Sequence, residues 1–130
     1  MSEVEHASMK DLKEGKYVMI DGLPCRVVNI DVSAPGKHGA AKMRVTAIGV
    51  FDGAKRIMLK PSDGDIEVPI IEKKNGQIVT LVGEVAQVMD LATFETFEMN
   101  IPEDLKANAT SGKEVEYMET MGRKMIMRIR

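Results

Sequence analysis

Trp is absent from this 130-residue chain, and only two Tyr and three Phe are present. With so few rings, the interior has to be built from aliphatic side chains and from the eleven Met residues, which fill irregular gaps. There is one Cys, so no internal disulfide can form, and Cys25, at the start of an apolar-rich segment, reads as a small buried hydrophobe with an inert thiol. The imidazoles are only His6 and His38. Together with Cys25 they are too sparse for a zinc site, so no metal ligands and no catalytic residues are expected, and the chain does not read as an enzyme. No apolar run approaches the roughly 20 residues that cross a bilayer, and Met1 to Lys10 lacks the apolar stretch of a signal peptide. These absences predict a cytoplasmic protein with no membrane partner.

Charge is present in quantity but unevenly placed. The net charge is only −2, yet residues 33–60 carry six Lys or Arg against Asp52 alone, while residues 61–102 carry eight acids against two Lys. A chain divided in this way can present a basic face to phosphates while staying mildly acidic overall; it can equally carry two solvated faces that only maintain solubility.

Short strands dominate the pattern. Residues 1–10 are polar and without periodicity, which predicts a flexible tail. Tyr17 to Ile20 leads through the Asp21-Gly22 turn into Cys25 to Val32, and Ala41 to Gly49 alternates Met43, Val45 and Ala47 with Lys42, Arg44 and Thr46. That alternation sets Lys42 and Arg44 on one solvent face. Further strands are expected at Arg56 to Leu59, Ile66 to Ile71, Gln77 to Val82, Glu84 to Asp90, Glu95 to Asn100, Val115 to Glu119 and Lys124 to Ile129, with a polar turn over residues 72–76. Pro102 to Ala107 reads as one short helix, with Pro at its first position and acids at its positive end. The whole predicts an all-β chain of two small barrels joined end to end, the second OB-like. Phe94, Phe97 and Tyr117 are expected in the core.

Between two of these strands lies Ser33-Ala34-Pro35-Gly36-Lys37-His38-Gly39-Ala40-Ala41-Lys42. Pro35 restricts the backbone, and Gly36 and Gly39 leave no side-chain bulk beside Lys37 and His38, so an exposed loop with a slim tip is expected. Lys37 there is either an ordinary solvated turn lysine or a four-carbon stem whose amine contacts phosphate or is itself modified. Spacing does not choose between them. A phosphate-binding P-loop is excluded, because Asp31 and His38 stand where that motif needs Gly and Ser or Thr.

The run Pro35-Gly36-Lys37-His38-Gly39, followed by Ala41-Lys42, resembles the hypusine loop of the translation initiation factor 5A family. The likeness continues through Ala47-Ile48-Gly49-Val50-Phe51-Asp52-Gly53 with Lys55-Arg56 and Glu67-Val68-Pro69-Ile70-Ile71-Glu72-Lys73, which look like the archaeal form, and it covers most of the chain from about Met9. Bacterial elongation factor P is similar in its first two domains. The resemblance implies an SH3-like domain over residues 11–70 and an OB-fold domain over 71–130. It also implies that Lys37 receives an aminobutyl group from spermidine, added by a separate deoxyhypusine synthase, so that no cofactor of the chain's own is needed. Pro35, Gly36, His38 and Gly39 would support modification and tRNA contact. The arm would then enter the large subunit of the ribosome, among its rRNA, and steady the P-site tRNA so that stalled peptide bonds, notably between prolines, can form. Lys42 and Arg44 are the candidates for contacts to the RNA backbone, or simply the solvated face of a strand. The sequence departs from the commonest loop at Ala34, where Lys is frequent, and at Ala40, where His or Ser is usual.

A rival expectation is a general single-stranded RNA-binding protein that uses the second barrel. Such barrels stack bases on aromatics above a basic groove. The strands from Gln77 to Asp90 offer neither; Lys113, Arg123, Lys124, Arg128 and Arg130 could form a secondary basic edge.

Overall fold

The computed structural model describes residues 3–33 and 41–130. The chain divides into two compact units, Met1–Ile70 and Ile71–Arg130.

Among the described residues, unit 1 holds six strands: β1 (Val4–Ser8), β2 (Tyr17–Ile20), β3 (Leu23–Ser33), β4 (Lys42–Gly49), β5 (Lys55–Pro61) and β6 (Asp65–Pro69). Strands β2-β3-β4-β5 form one antiparallel sheet, and β1 pairs with β6 in a second. The turn from β2 to β3 is Asp21-Gly22, both at positive φ, a geometry that short side chains and Gly tolerate and that suits the twist of a tight hairpin. The two sheets form an SH3-like barrel around Met9, Val18, Cys25, Val27, Val45, Ala47 and Ile66. In β3 the extra residue Val28 lies between the Val27↔Ala47 and Asn29↔Thr46 pairs without a partner of its own in the register. This bulge moves the inward side from Cys25 and Val27 to Ile30 and bends the strand for closure.

The expected flexible tail is replaced by β1 and a one-turn 3-10 helix at Met9–Asp11. The register runs from Val4↔Pro69 to Ser8↔Asp65, the Met9 and Lys10 amides donate to the carbonyls of Gly64 and Ser62, and the Met9 side chain is fully buried. Order here comes from a partner strand far along the chain, which local polarity does not reveal.

Unit 2 holds β7 (Glu72–Val82), β8 (Val85–Asp90), β9 (Thr96–Asn100), β10 (Glu114–Thr120) and β11 (Arg123–Ile129), in the order β11-β10-β7-β8-β9. With one 3-10 turn at Glu103–Asn108 between β9 and β10, this is an OB fold. The helix expected at 102–107 is thus a 3-10 turn, and Pro102 stands just outside it in extended conformation. Residues 72–76, expected as a polar turn, are the first five of β7 and pair with β10 from Glu72↔Glu119 to Gly76↔Val115. The core comprises Ile78, Ala86, Val88, Met99, Ile101, Val115, Tyr117 and Ile126. Tyr117 is fully buried and Phe97 packs partly against this core, but Phe94, expected inside, is 70% exposed. It occupies the β8–β9 turn at φ 63°, where the backbone carries its side chain outward.

Candidate functional site

Residues 34–40 connect β3 to β4, and Lys37 with its neighbours Pro35, Gly36, His38 and Gly39 lies outside the described residues. What surrounds their attachment is well defined. The β3–β4 ladder holds register to its last pairs, Asp31↔Arg44, Val32↔Met43 and Ser33↔Lys42. Antiparallel partners lie about 5 Å apart, so the connecting segment leaves and re-enters the sheet at one place. Ser62 of the chain beyond β5 ties down the return, its amide donating to the Ala41 carbonyl at 2.8 Å.

Lys42 and Arg44 are exposed, while Met43, Val45 and Ala47 point into the core, as the alternation requires. Across the outer face, Lys42 stands between Ser33 and Pro61, and Arg44 between Asp31 and Leu59. Asp31 accepts a hydrogen bond from the Asn29 amide at 3.1 Å.

The basic residues counted in sequence are not equivalent in space. Arg56 makes a two-pronged bond to Asp52, at 3.0 and 2.7 Å, and Asp52 also accepts the Ala54 amide at 3.0 Å. The guanidinium holds the Asp52 carboxyl down at about 2, with help from that amide, and Asp52 in turn holds Arg56 still further above its ordinary value. Lys60 donates to the Asp65 carbonyl at 2.8 Å and so braces the turn before β6. Lys42, Arg44 and Lys55 remain exposed. The Asp52–Arg56 pair was not anticipated, although the Asp-Gly turn between the two residues was a usable signal.

Cys25 is buried as expected, its thiol donating to the Leu23 carbonyl at 3.5 Å; burial pushes the thiol up, only partly offset by Arg56 nearby. His6 lies exposed on β1. Among the described residues no cluster of His, Cys, Asp and Glu could hold a metal ion. Four cations of unit 2 lie beside carboxylates of the same unit. Lys74 lies 2.9 Å from Glu119, Lys106 2.6 Å from Glu84, and Arg130 3.5 Å from Glu116. Lys124 sits 3.5 Å from Glu119 and covers the Phe97 ring at 4.2 Å, so that ring does not offer a bare face to a base.

The family described as "Translation initiation factor 5A-like, N-terminal" matches residues 2–64, and that described as "Eukaryotic elongation factor 5A hypusine, DNA-binding OB fold" matches residues 70–130. The chain belongs to the translation initiation factor 5A family. The translation initiation factor 5A of Methanocella arvoryzae is 52% identical over 119 residues, 92% of this chain and 93% of that one. That of Archaeoglobus fulgidus is 49% identical over 125 residues, 96% and 98% of the two chains. Among solved structures, the eukaryotic translation initiation factor 5A from Methanococcus jannaschii superposes with a TM-score of 0.92 at 45% identity, covering 100% of this chain and 97% of the other. A family protein from Naegleria fowleri gives 0.75 at 27% identity, covering 99% of each chain. A translation factor of the 5A family, with close archaeal relatives, is therefore the frame for the site. Among the described residues no helix is long and apolar enough to cross a membrane.

Proposed function

We propose that this factor acts in the cytoplasm on the ribosome, beside the peptidyl-transferase centre. There Lys37, extended by an aminobutyl group from spermidine, steadies the acceptor end of the P-site tRNA and lets stalled peptide bonds form, notably between prolines. A separate NAD-dependent deoxyhypusine synthase installs the group. The modified lysine contributes reach and positive charge; the chain supplies no catalytic group, and rate is gained by holding the substrate in place. The observation that carries the reading is the Pro35-Gly36-Lys37-His38-Gly39 run set between strands that stay paired as far as Ser33↔Lys42 in a chain of this family. On this reading Lys42 and Arg44, exposed on β4 next to that segment, contact the RNA backbone once the arm is inserted; their exposure supports it. The pairing of Lys124 and Arg130 with carboxylates, and the Lys124 ammonium over the Phe97 ring, weaken the rival reading of a general single-stranded RNA binder.

Intact-mass and peptide mass spectrometry of protein from its native host tests the modification, with an aminobutyl addition at Lys37 expected. Bare lysine there would sink the reading. Translation of proline-run messages should be relieved by the modified protein and not by Lys37→Arg.

A further inference from the structure

Among the described residues, strands β9 and β11 are the two ends of the unit 2 sheet, each paired on one side only, to β8 and to β10, with no ladder joining them to one another. They nonetheless come close, and a cleft of about 410 Å³ runs along the seam. Residues 97–100 of β9 line one side, and residues 122–124, from the β10–β11 turn into β11, line the other. Val85, the register partner of Asn100, completes the lining. Neighbouring side chains on a strand point to opposite faces, so a cleft that touches four residues in succession lies beside the strand and not over one face of it. Since β8 occupies one edge of β9, the edge turned to the cleft is the unpaired one.

An unpaired strand edge presents its amide and carbonyl groups to any chain that can run beside it, and Lys or Pro on the edge is the usual guard. The edge strand β5 of unit 1 carries Lys55, Lys60 and Pro61. In β9, Thr96-Phe97-Glu98-Met99-Asn100, neither residue type is present. The opposite lip is fixed by Met121 and Gly122, both at positive φ between the paired Thr120 and Arg123, the tight turn of a two-residue hairpin. From that lip Lys124 reaches the Phe97 ring, 4.2 Å away, while also lying 3.5 Å from Glu119, and Arg123 next to it is exposed. The cleft thus combines a hydrogen-bonding edge, an apolar strip of Val85, Phe97 and Met99, and two cations. An extended polypeptide matches all three: its own amides and carbonyls pair with β9, its aliphatic side chains meet the strip, and a carboxylate meets the cations. A nucleic acid strand has no such repeat of donors and acceptors, and the Lys124 ammonium already covers the Phe97 ring.

We propose that the cleft between β9 and β11 receives an extended segment of a partner protein, which adds to β9 as a further strand and sets a carboxylate against Arg123 and Lys124. Backbone pairing supplies affinity, while the apolar strip and the two cations supply register and choice of sequence. Entry displaces Lys124 from the Phe97 ring, so the seam admits the segment without breaking a ladder. The site does not depend on Lys37 and gives this translation factor a protein contact of its own in unit 2.

The test is titration of the full, isotope-labelled chain with a short blocked peptide that alternates valine with threonine and carries one glutamate near its middle, read by amide NMR and fluorescence anisotropy. Shifts should concentrate at Val85, residues 97–100 and residues 122–124. Lys124→Gln and Arg123→Glu should each weaken binding by about 5-fold or more, as should a peptide with lysine in place of the glutamate, and Lys55→Glu in unit 1 should leave binding unchanged. Thermal melts check that the variants are folded, and two modified peptides test the edge without touching the protein. Alternate amides of a strand face opposite edges. N-methylation of the valine amides or of the remaining amides should therefore weaken binding by about 10-fold or more in one peptide and by less than about 2-fold in the other. Absent shifts along β9, or equal effects of the two methylated peptides, overturn the added strand. A short oligouridylate that shifts the same amides and displaces the peptide also overturns it, assigning the cleft to nucleic acid.

Discussion

The hydroxyl of Tyr117 donates to the carboxylate of Asp90 inside unit 2, joining β10 to the end of β8. The other carboxylate oxygen accepts the amides of Ala92 and Thr93 at 2.8 and 2.9 Å, so a buried charge is satisfied on both sides and shapes the turn into β9. The Tyr117 bond and the backbone amides hold Asp90 below the usual carboxylate range, and burial followed by the Asp90 contact pushes the Tyr117 hydroxyl up. Removing one donor leaves the charge under-satisfied. Tyr117→Phe should cost about 1.5–3 kcal/mol, the range for hydrogen bonds to charged groups. In a domain of this size that lowers the melting temperature of unit 2 by about 4–8 °C per kcal/mol, measurable by calorimetry. A variant that melts with the wild type would show the bond to be energetically idle.

Acid should act on unit 1 through Asp52. Its folded carboxyl titrates at about 2, below the roughly 3.9 of an unfolded Asp, so between those values the folded state binds fewer protons. The stability contributed by the Asp52–Arg56 pair is therefore fully present above about pH 4 and is lost as pH falls toward 2. The pair is solvent-accessible, so its contribution is modest and weakened by salt. Melting curves of wild type and Asp52→Asn should be separated at pH 7 and should converge near pH 2. A gap that persists unchanged at pH 2 would contradict the linkage.

Much of this architecture was legible because side-chain alternation is a local signal. Met43, Val45 and Ala47 point inward and Lys42 and Arg44 outward as their spacing dictates, and Asp21-Gly22 turns where its chemistry demands. What local pattern does not encode depends on distant partners. Val4 to Ser8 becomes a strand only because Asp65 to Pro69 is there to pair with it. Residues 72–76 contain charges and Asn-Gly, the ordinary vocabulary of a turn, yet β10 recruits them into β7. The identity of the candidate site came from the residues around Lys37 themselves, whereas the Asp52–Arg56 bond and the unpaired edge of β9 needed the assembled sheets to become visible.

Gly76 is where the first part of β7 is most tightly constrained. A Cβ placed there would lie 2.5 Å from Val88 Cγ1, 3.0 Å from the Met89 carbonyl oxygen and 3.4 Å from the Tyr117 ring. The backbone oxygen cannot be moved aside by a rotamer change. Gly76→Ala should therefore destabilise unit 2 by about 1–3 kcal/mol through overpacking, even though Ala is the better strand residue. Denaturant unfolding gives the value. A neutral or stabilising outcome would mean that β7 and β8 can separate locally without loss.

Phe94 presents the opposite case, a large residue where a smaller one fits better. Its φ of 63° lies in the left-handed region, its amide closes the turn onto the Asp90 carbonyl at 2.8 Å, and its ring is 70% exposed. Left-handed backbone costs a side-chain-bearing residue about 1–2 kcal/mol, and an exposed ring returns little packing to offset it. Glycine removes that strain but loses more freedom on folding, so Phe94→Gly should stabilise unit 2 by a net 0.5–1 kcal/mol or about that. Phe94→Ala keeps the strained backbone without the ring and should be close to neutral. Paired thermal melts of the two variants separate the contributions. If both fall below the wild type by the same amount, the ring packs against the fold after all and the backbone is not the controlling cost.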